Sequence, residues 1–90
     1  MNHLYIGICE DDDADYNALI LLITKFMPTA HITRYTSGED FLASYKTNLY
    51  DLIILDIYMG DLTGIEVATK LRAFDKSVLI AFLLQATNIL

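Results

Sequence analysis

The chain has 90 residues, of which 54% are hydrophobic and 20% charged, and six Lys and Arg against twelve Asp and Glu give a formal net charge of −6. This length accommodates one small domain, and so high an apolar content excludes a chain that stays disordered. The negative balance argues against a surface that contacts nucleic-acid phosphates and against docking on an anionic membrane.

The first predicted element is a buried strand over residues 4–9, "LYIGIC", a short apolar run with β-branched and aromatic residues. The start "MNHLYIGI" has neither the basic region nor the small-residue cleavage site of a signal peptide. Cys9 is the one cysteine, so it cannot form an internal disulfide, and we expect it to be reduced and buried. The longest apolar stretches, "ALILLI" and "VLIAFLL", are too short to span a bilayer. We therefore expect a soluble, cytoplasmic domain.

The acidic stretch "EDDDAD" follows this strand and leads into the first predicted helix. Apolar residues recur there at helical spacing until Pro28, which cannot continue a helix. The recurring residues are Tyr16, Leu19, Ile20, Ile23 and Phe26. Residues 31–35, "HITRY", then predict a second strand that is half-buried at best.

Two capping-box signals predict where the next helices begin. Ser37 with Asp40 and Thr63 with Glu66 place a hydroxyl three residues before a carboxylate, the spacing that satisfies the first N–H groups of a helix. The apolar faces of these helices would be Phe41, Leu42 and Tyr45 in the second and Ile65, Ala68 and Leu71 in the third.

Two further strands complete the alternation. The third is "DLIILD", residues 51–56, and the fourth and most apolar is "SVLIAFLL", residues 77–84. The order is therefore β-α-β-α-β-α-β, and three of the strands are apolar on both faces. Such strands predict an α/β fold with a parallel sheet that is covered by helices on both sides.

Carboxylates stand at the ends of two of these strands. In an open parallel sheet, binding sites form beyond the carboxyl ends of the strands. The first strand leads into Glu10 and Asp11, and the third ends at Asp56, so the three carboxylates face one another if the strands are neighbours. A hard divalent cation relieves their repulsion, and Mg²⁺ is best suited to a few carboxylate or carbonyl oxygens. With a cation bound, Asp56 is suited to act as a nucleophile toward phosphorus.

The alternative is that the acidic stretch only caps the first helix, where carboxylates favour the positive end of the helix dipole. We expect that role for Asp12, Asp13 and Asp15, and not for the three carboxylates at the strand ends.

These motifs resemble the response regulator receiver domain of two-component signalling, on the strength of "LYIGICEDD" before a helix and "DLIILDIYMGDLTGIE" later. The resemblance covers residues 4 to 84 and is nearest to receivers joined to LytTR-type DNA-binding domains. It implies a flavodoxin-like doubly wound parallel sheet with strand order 2-1-3-4-5. It also implies that Glu10, Asp11, Asp56 and the main-chain carbonyl of Tyr58 bind Mg²⁺, and that Asp56 accepts a phosphoryl group from a histidine kinase.

Three departures from the family pattern accompany the resemblance. Gly60 stands where the family usually has proline, so we expect a looser turn there, and Leu84 stands where a Thr or Ser hydroxyl contacts the phosphoryl group. The chain ends at Leu90, before the family's fourth helix, fifth strand, fifth helix and phosphate-pairing lysine. We therefore expect one receiver-like domain over residues 1–90, with strand order 2-1-3-4 and the fifth βα unit missing.

Three functions of different classes are compatible with these features. The first is a signalling receiver that is phosphorylated on Asp56 with Mg²⁺ and is not a metabolic enzyme. The second is a degenerate receiver that acts only as a self-associating or binding module. The third is a phosphohydrolase with an aspartate nucleophile, and Tyr58 counts against it because an acid/base aspartate is missing at that position.

We also expect a homodimer through residues 77–90. The fourth strand would lie at the edge of the sheet with unpaired N–H and C=O groups, and it contains no lysine or proline to block pairing. Val78, Ile80 and Phe82, or the residues that alternate with them, would then face water.

Overall fold

The structure, a computed structural model, describes residues 3–84. Four strands and three helices alternate along this part of the chain, as the sequence predicts. They are β1 (Tyr5–Cys9), α1 (Asp13–Phe26), β2 (His31–Tyr35), α2 (Gly38–Ser44), β3 (Leu52–Asp56), α3 (Gly64–Arg72) and β4 (Leu79–Leu83). No helix within residues 3–84 is long and apolar enough to cross a membrane.

All strand pairs in this sheet are parallel, and the strand order is β2-β1-β3-β4. The predicted order of these four strands is confirmed. Strands β1 and β3 are neighbours in a register that pairs Cys9 with Leu55. The residues that follow this pair, Glu10 and Asp56, therefore lie at the same level, at the carboxyl edge of the sheet. This register is what positions the site.

Helices cover both faces of the sheet, as the apolar strands predict. Helix α1 packs on one face, where Ile23 joins Ile6, Ile8 and Ile54 in a buried cluster. Helices α2 and α3 pack on the other face around a larger cluster that includes Phe41. The buried strand and helix residues of that second cluster include Cys9, Ile53, Leu55, Val67 and Leu71. Cys9 is reduced and fully buried, so burial raises the pKa of its thiol to about 12.

Side-chain caps set the beginning of each helix. Ser37 accepts a hydrogen bond from the Asp40 N–H at 3.1 Å, which confirms the predicted start of α2. Thr63 and Glu66 form the complete reciprocal box at the start of α3, with distances of 3.1 and 2.9 Å. Asp12 caps α1. The predicted capping role within the acidic stretch is therefore correct for this residue.

Strand β4 is shorter than predicted, because a buried aspartate closes the turn in front of it. Asp75 accepts hydrogen bonds from the N–H groups of Ser77 at 3.1 Å and Val78 at 3.2 Å. It also accepts a hydrogen bond from the Tyr45 hydroxyl at 2.5 Å. These hydrogen bonds lower the pKa of Asp75, and the bond from Tyr45 has the largest effect. Ser77 and Val78 thus belong to the turn, and the strand begins at Leu79.

Strand β4 is the least covered strand of the described sheet. Leu79 is 68% exposed and Phe82 43% exposed, whereas Val78 is buried and Ile80 packs against the core. Leu79 and Phe82 are three positions apart and therefore point to opposite faces of the sheet, so the exposed side chains do not follow the single alternating set that the sequence predicts. Residues 85–90, part of the predicted dimer segment, lie outside the described residues.

Candidate functional site

Three carboxylates meet at the carboxyl edge of the sheet. One oxygen from each of Glu10, Asp11 and Asp56 lies within 4.8 Å of the others. Glu10 and Asp56 are 1% and 0% exposed, whereas Asp11 is exposed at the mouth of the site. The parallel pairing of β1 with β3 brings these residues together from positions 46 residues apart in the chain. A set of oxygens at this spacing, with one side open, has the form of a site for a hard cation that keeps part of its water.

Main-chain donors orient the two buried carboxylates. The Asp12 N–H donates to Glu10 Oε2 at 3.1 Å, and the Tyr58 N–H donates to Asp56 Oδ1 at 3.1 Å. The second oxygen of Asp56, Oδ2, is buried and has no hydrogen-bond partner among the described residues. A buried oxygen without a donor is costly. A cation is therefore a fitting partner for it.

Burial also disfavours the charged forms of this pair. The pKa of Glu10 is raised to about 7 as the net result of burial, which raises it most, the hydrogen bond from the Asp12 N–H, which lowers it, and the charge of Asp56, which raises it. Burial likewise raises the pKa of Asp56, partly offset by the Tyr58 N–H. Without a cation, the two side chains therefore favour a state that holds at least one proton near neutral pH.

The structure separates the acidic stretch into two groups. Glu10 and Asp11 point toward Asp56, whereas Asp12 accepts the Asp15 N–H at 2.8 Å as the cap of α1. Asp13 forms an ion pair with Arg34 at 2.8 Å. Both interpretations of the stretch therefore apply, each to different residues. The role of the Tyr58 carbonyl as a metal ligand stays a prediction.

Helix α3 begins directly against the main chain of Asp56. A Cβ atom on Gly64 would lie 2.4 Å from the Asp56 carbonyl oxygen, too close for any side chain unless the backbone moves. The Gly64 N–H also donates to the Ile57 carbonyl at 3.0 Å. Gly60 is different, because a Cβ there would meet no atom within 4 Å. The looser turn that the sequence predicts at Gly60 stays a prediction.

The end of β4 borders the same site with an apolar surface. Leu83 is the register partner of Asp56, and its carbonyl accepts the Ile57 N–H at 3.2 Å. Leu83 and Leu84 line a cavity together with Glu10. The side chain at the position of the family's Thr or Ser is thus apolar and next to the acidic site. The next residue with a hydroxyl group along the chain, Thr87, lies outside the described residues.

Sequence reasoning missed Arg34, which contacts the loop that carries two of the carboxylates. Its Nε donates to the Glu10 carbonyl at 3.1 Å. The signal that could have found it is a single arginine near the end of an otherwise uncharged strand, beside an acidic loop. Only the pairing of β2 with β1 shows that the two lie together.

Comparison with known sequences gives consistent results. The sequence profile of the response regulator receiver domain matches residues 6–89. The transcriptional regulatory protein AfsQ1 of Streptomyces coelicolor is 36% identical over 81 residues, which cover 90% of this chain and 34% of AfsQ1. Protein RcaC of Microchaete diplosiphon is 37% identical over 86 residues, covering 93% of this chain and 13% of RcaC. The chain therefore spans only a minor part of either relative.

Solved structures share the fold. A chain in the crystal structure of histidine kinase ThkA in complex with response regulator protein TrrA superposes with a TM-score of 0.75 at 28% identity, covering 88% of this chain and 66% of that one. The receiver domain of sensor histidine kinase PA1611 from Pseudomonas aeruginosa, solved with a magnesium ion in its active site cleft, superposes with a TM-score of 0.81 at 19% identity. That superposition covers 96% of this chain and 70% of the other, and it shows the fold alone.

The raised pKa of Glu10 predicts an unusual dependence of stability on pH in the presence of a chelator. Between the ordinary pKa of 4.5 and the raised value of about 7, the folded chain holds a proton that the unfolded chain releases. The free energy of unfolding should therefore be highest near pH 4.5 and should decline as the pH rises toward 7. The decline should be on the order of 2 kcal/mol.

Urea unfolding at a series of pH values measures this decline. Glu10→Gln, which cannot ionise, should have a flatter profile over the same interval, because the remaining titrating groups are common to both proteins. Parallel profiles for the two proteins would contradict the prediction.

Proposed function

The chain belongs to the response regulator receiver domain family, and on that premise we propose that Asp56 accepts a phosphoryl group from a phosphohistidine of a histidine kinase. The observation that carries this proposal is the buried Asp56 Oδ2, which has no hydrogen-bond partner among residues 3–84 and lies in a cluster with Glu10 and Asp11. The family assigns the chain to signalling and not to metabolic catalysis. Against the phosphohydrolase alternative, Tyr58 stands where that reaction would need an acid/base aspartate.

The proposed reaction is a transfer from nitrogen to oxygen. A carboxylate oxygen of Asp56 forms the new P–O bond while the P–N bond to the donor imidazole breaks, and the imidazole nitrogen retains the electron pair. Asp56 must be ionised to attack. The Tyr58 N–H holds Oδ1 at 3.1 Å and so fixes the orientation of the carboxylate. The other carboxylate oxygen of Asp56, Oδ2, accepts no hydrogen bond from any described residue.

We propose that Glu10, Asp11, Asp56 and the main-chain carbonyl of Tyr58 hold Mg²⁺. The side-chain donors fit this ion, because they are hard oxygens within 4.8 Å of one another and one of them is buried without a partner. When bound, Mg²⁺ supplies positive charge that offsets the charge on the phosphoryl oxygens during transfer. Glu10 and Asp56 would release any proton they hold on binding, since ligating carboxylates are deprotonated.

Addition of Mg²⁺ should raise the melting temperature, because a ligand that binds only the folded state stabilises it. At about ten times Kd the gain in the free energy of unfolding is about 1.4 kcal/mol. Asp11→Asn should abolish this gain. Asp12→Asn is the matched control, since Asp12 caps α1 and asparagine is an equally good cap. A full Mg²⁺ response in Asp11→Asn would refute the assignment.

Phosphorylation of Asp56 should be specific but slow. Incubation with acetyl phosphate and Mg²⁺ should add one phosphoryl group, detected by intact-mass spectrometry. Asp56→Asn should lose the modification, while Asp51→Asn, just before the opposite end of the same strand, should retain it.

Because Leu84 supplies no hydroxyl to the phosphoryl oxygens, Leu84→Thr should accelerate the reaction. One such donor typically changes the reaction rate about a hundredfold. Modification of Asp56→Asn, or no acceleration in Leu84→Thr, would count against these roles.

The wider setting of the domain follows from its relatives. We propose that the chain acts in the cytoplasm, with a histidine kinase as its phosphodonor, and that it contributes to the control of transcription. The response regulator TrrA in complex with histidine kinase ThkA, and the name of the transcriptional regulatory protein AfsQ1, support these proposals. The nearer likeness to receivers joined to LytTR-type domains stays a prediction, as does the incomplete carboxyl end.

We further propose that the 90-residue chain forms a homodimer through β4. This strand is at the edge of the described sheet, and Leu79, Phe82 and Leu84 are 68%, 43% and 60% exposed. A flat apolar edge of this kind favours pairing with a second copy about a two-fold axis. Ile80 is unsuitable as a test position, because it packs against the core and lysine there would unfold the domain.

The double variant Leu79→Lys, Phe82→Lys should therefore be a folded monomer. Leu21→Lys is the control, because Leu21 is 75% exposed on α1 and does not lie on this edge. Sedimentation velocity at micromolar concentration measures the result. A monomeric parent chain would disprove the dimer, and a dimeric double variant would place the interface elsewhere.

A further inference from the structure

Arg34 lies at the junction between the sheet and the acidic loop. It is the register partner of Ile8 on β1, two residues before Glu10. Its Nε donates to the Glu10 carbonyl at 3.1 Å, and its Nη1 forms an ion pair with Asp13 at 2.8 Å. Its guanidinium carbon is 4.3 Å from the centre of the Tyr16 ring. One side chain thus contacts the loop before Asp11 and the helix after it.

These contacts fix the segment that carries two of the three carboxylates. The connection between β1 and α1 has three residues, Glu10, Asp11 and Asp12. The main chain of its first residue, Glu10, makes two hydrogen bonds with β2. The Glu10 carbonyl accepts one from Arg34, and the Glu10 N–H donates one to the Tyr35 carbonyl at 3.0 Å. At the other end of the connection, the ion pair between Arg34 and Asp13 holds the first residue of α1. The planar fork of arginine presents separate N–H groups to both ends in a fixed geometry, whereas the ammonium of lysine is a single point charge on a flexible stem.

None of the contacts found for Arg34 is with a carboxylate of the acidic cluster. Its partners are a main-chain carbonyl, the first residue of α1 and an aromatic ring. It therefore acts on the cluster through the position of the loop and not as a direct partner of the ligand oxygens. The Arg34 side chain is 22% exposed and that of Asp13 is 85% exposed, so the ion pair is open to water and the hydrogen bond to the Glu10 carbonyl is the more shielded contact.

We propose that Arg34 is a positioning residue for the divalent-cation site, which it holds in shape by clamping the Glu10 main chain to the first turn of α1. This inference rests on the proposed cation site and names a residue outside it. Mg²⁺ demands near-octahedral geometry, so a small displacement of Glu10 or Asp11 weakens binding. Residues that orient metal ligands typically contribute 10- to 100-fold to affinity.

Charge and position make opposite predictions for the removal of Arg34. A cation near an acidic site repels Mg²⁺, so a purely electrostatic role predicts tighter Mg²⁺ binding in Arg34→Met. A positioning role predicts weaker binding. In Arg34→Lys the charge stays and the fork is lost, so electrostatics predicts no change and positioning again predicts weaker binding.

The test is the Mg²⁺ dissociation constant, measured by calorimetric titration of the whole 90-residue chain. We expect Kd to increase about tenfold in both Arg34→Met and Arg34→Lys. Lys25→Met is the charge-matched control, since Lys25 lies in the last turn of α1, and its Kd should not exceed that of the parent. Circular dichroism and urea unfolding identify any variant that does not fold, and the conclusion then rests on the other Arg34 variant.

Each outcome decides the matter. Tighter or unchanged binding in Arg34→Met, or parental affinity in Arg34→Lys, would overturn the positioning role while leaving the cation site intact. Weaker binding in the folded Arg34 variants alone would support it. Failure of the parent chain to bind Mg²⁺ would overturn the cation site and this inference together.

Discussion

The burial of two neighbouring carboxylates, Glu10 and Asp56, is the constraint on which the rest of this structure depends. They stand at the ends of adjacent parallel strands, above an apolar sheet, and are almost inaccessible to water. Removing such groups from water disfavours their charged forms, and their proximity adds repulsion. A fold that retains both must supply donors, a proton or a cation. Without a donor, a proton or a cation, the pair of buried carboxylates would be electrostatically unsatisfied.

The surrounding loops are organised to hold that pair in place. The N-terminus of α1 follows β1, and that of α3 lies against the main chain of Asp56, so the positive ends of both helix dipoles lie near the carboxylates. Gly64 makes the second approach possible, because any side chain there would collide with the Asp56 carbonyl. On the other side, Arg34 joins the edge strand β2 to the acidic loop.

The site is also connected to the least covered part of the sheet. Asp56 is paired in register with Leu83, and the Ile57 N–H donates to the Leu83 carbonyl. A displacement of the main chain at the site would therefore act directly on β4, which exposes Leu79 and Phe82. A receiver must convert a local chemical change into a change of surface. In this chain, the hydrogen bond from the Ile57 N–H to the Leu83 carbonyl joins the acidic site to β4.

The sequence by itself determined the helices and strands, their order, and the three carboxylates of the acidic cluster. Apolar strands, capping boxes at Ser37 and Thr63, and acids at strand ends are local signals, since each depends on residues that are close in the chain. The tertiary structure alone decided what depends on distant pairing. The bonds of Asp75 shortened β4, and the register of β1 with β2 placed Arg34 on the acidic loop. It also gave the side-chain directions, because Asp11 and Asp12 are adjacent and chemically identical, yet Asp11 faces Asp56 and Asp12 caps α1.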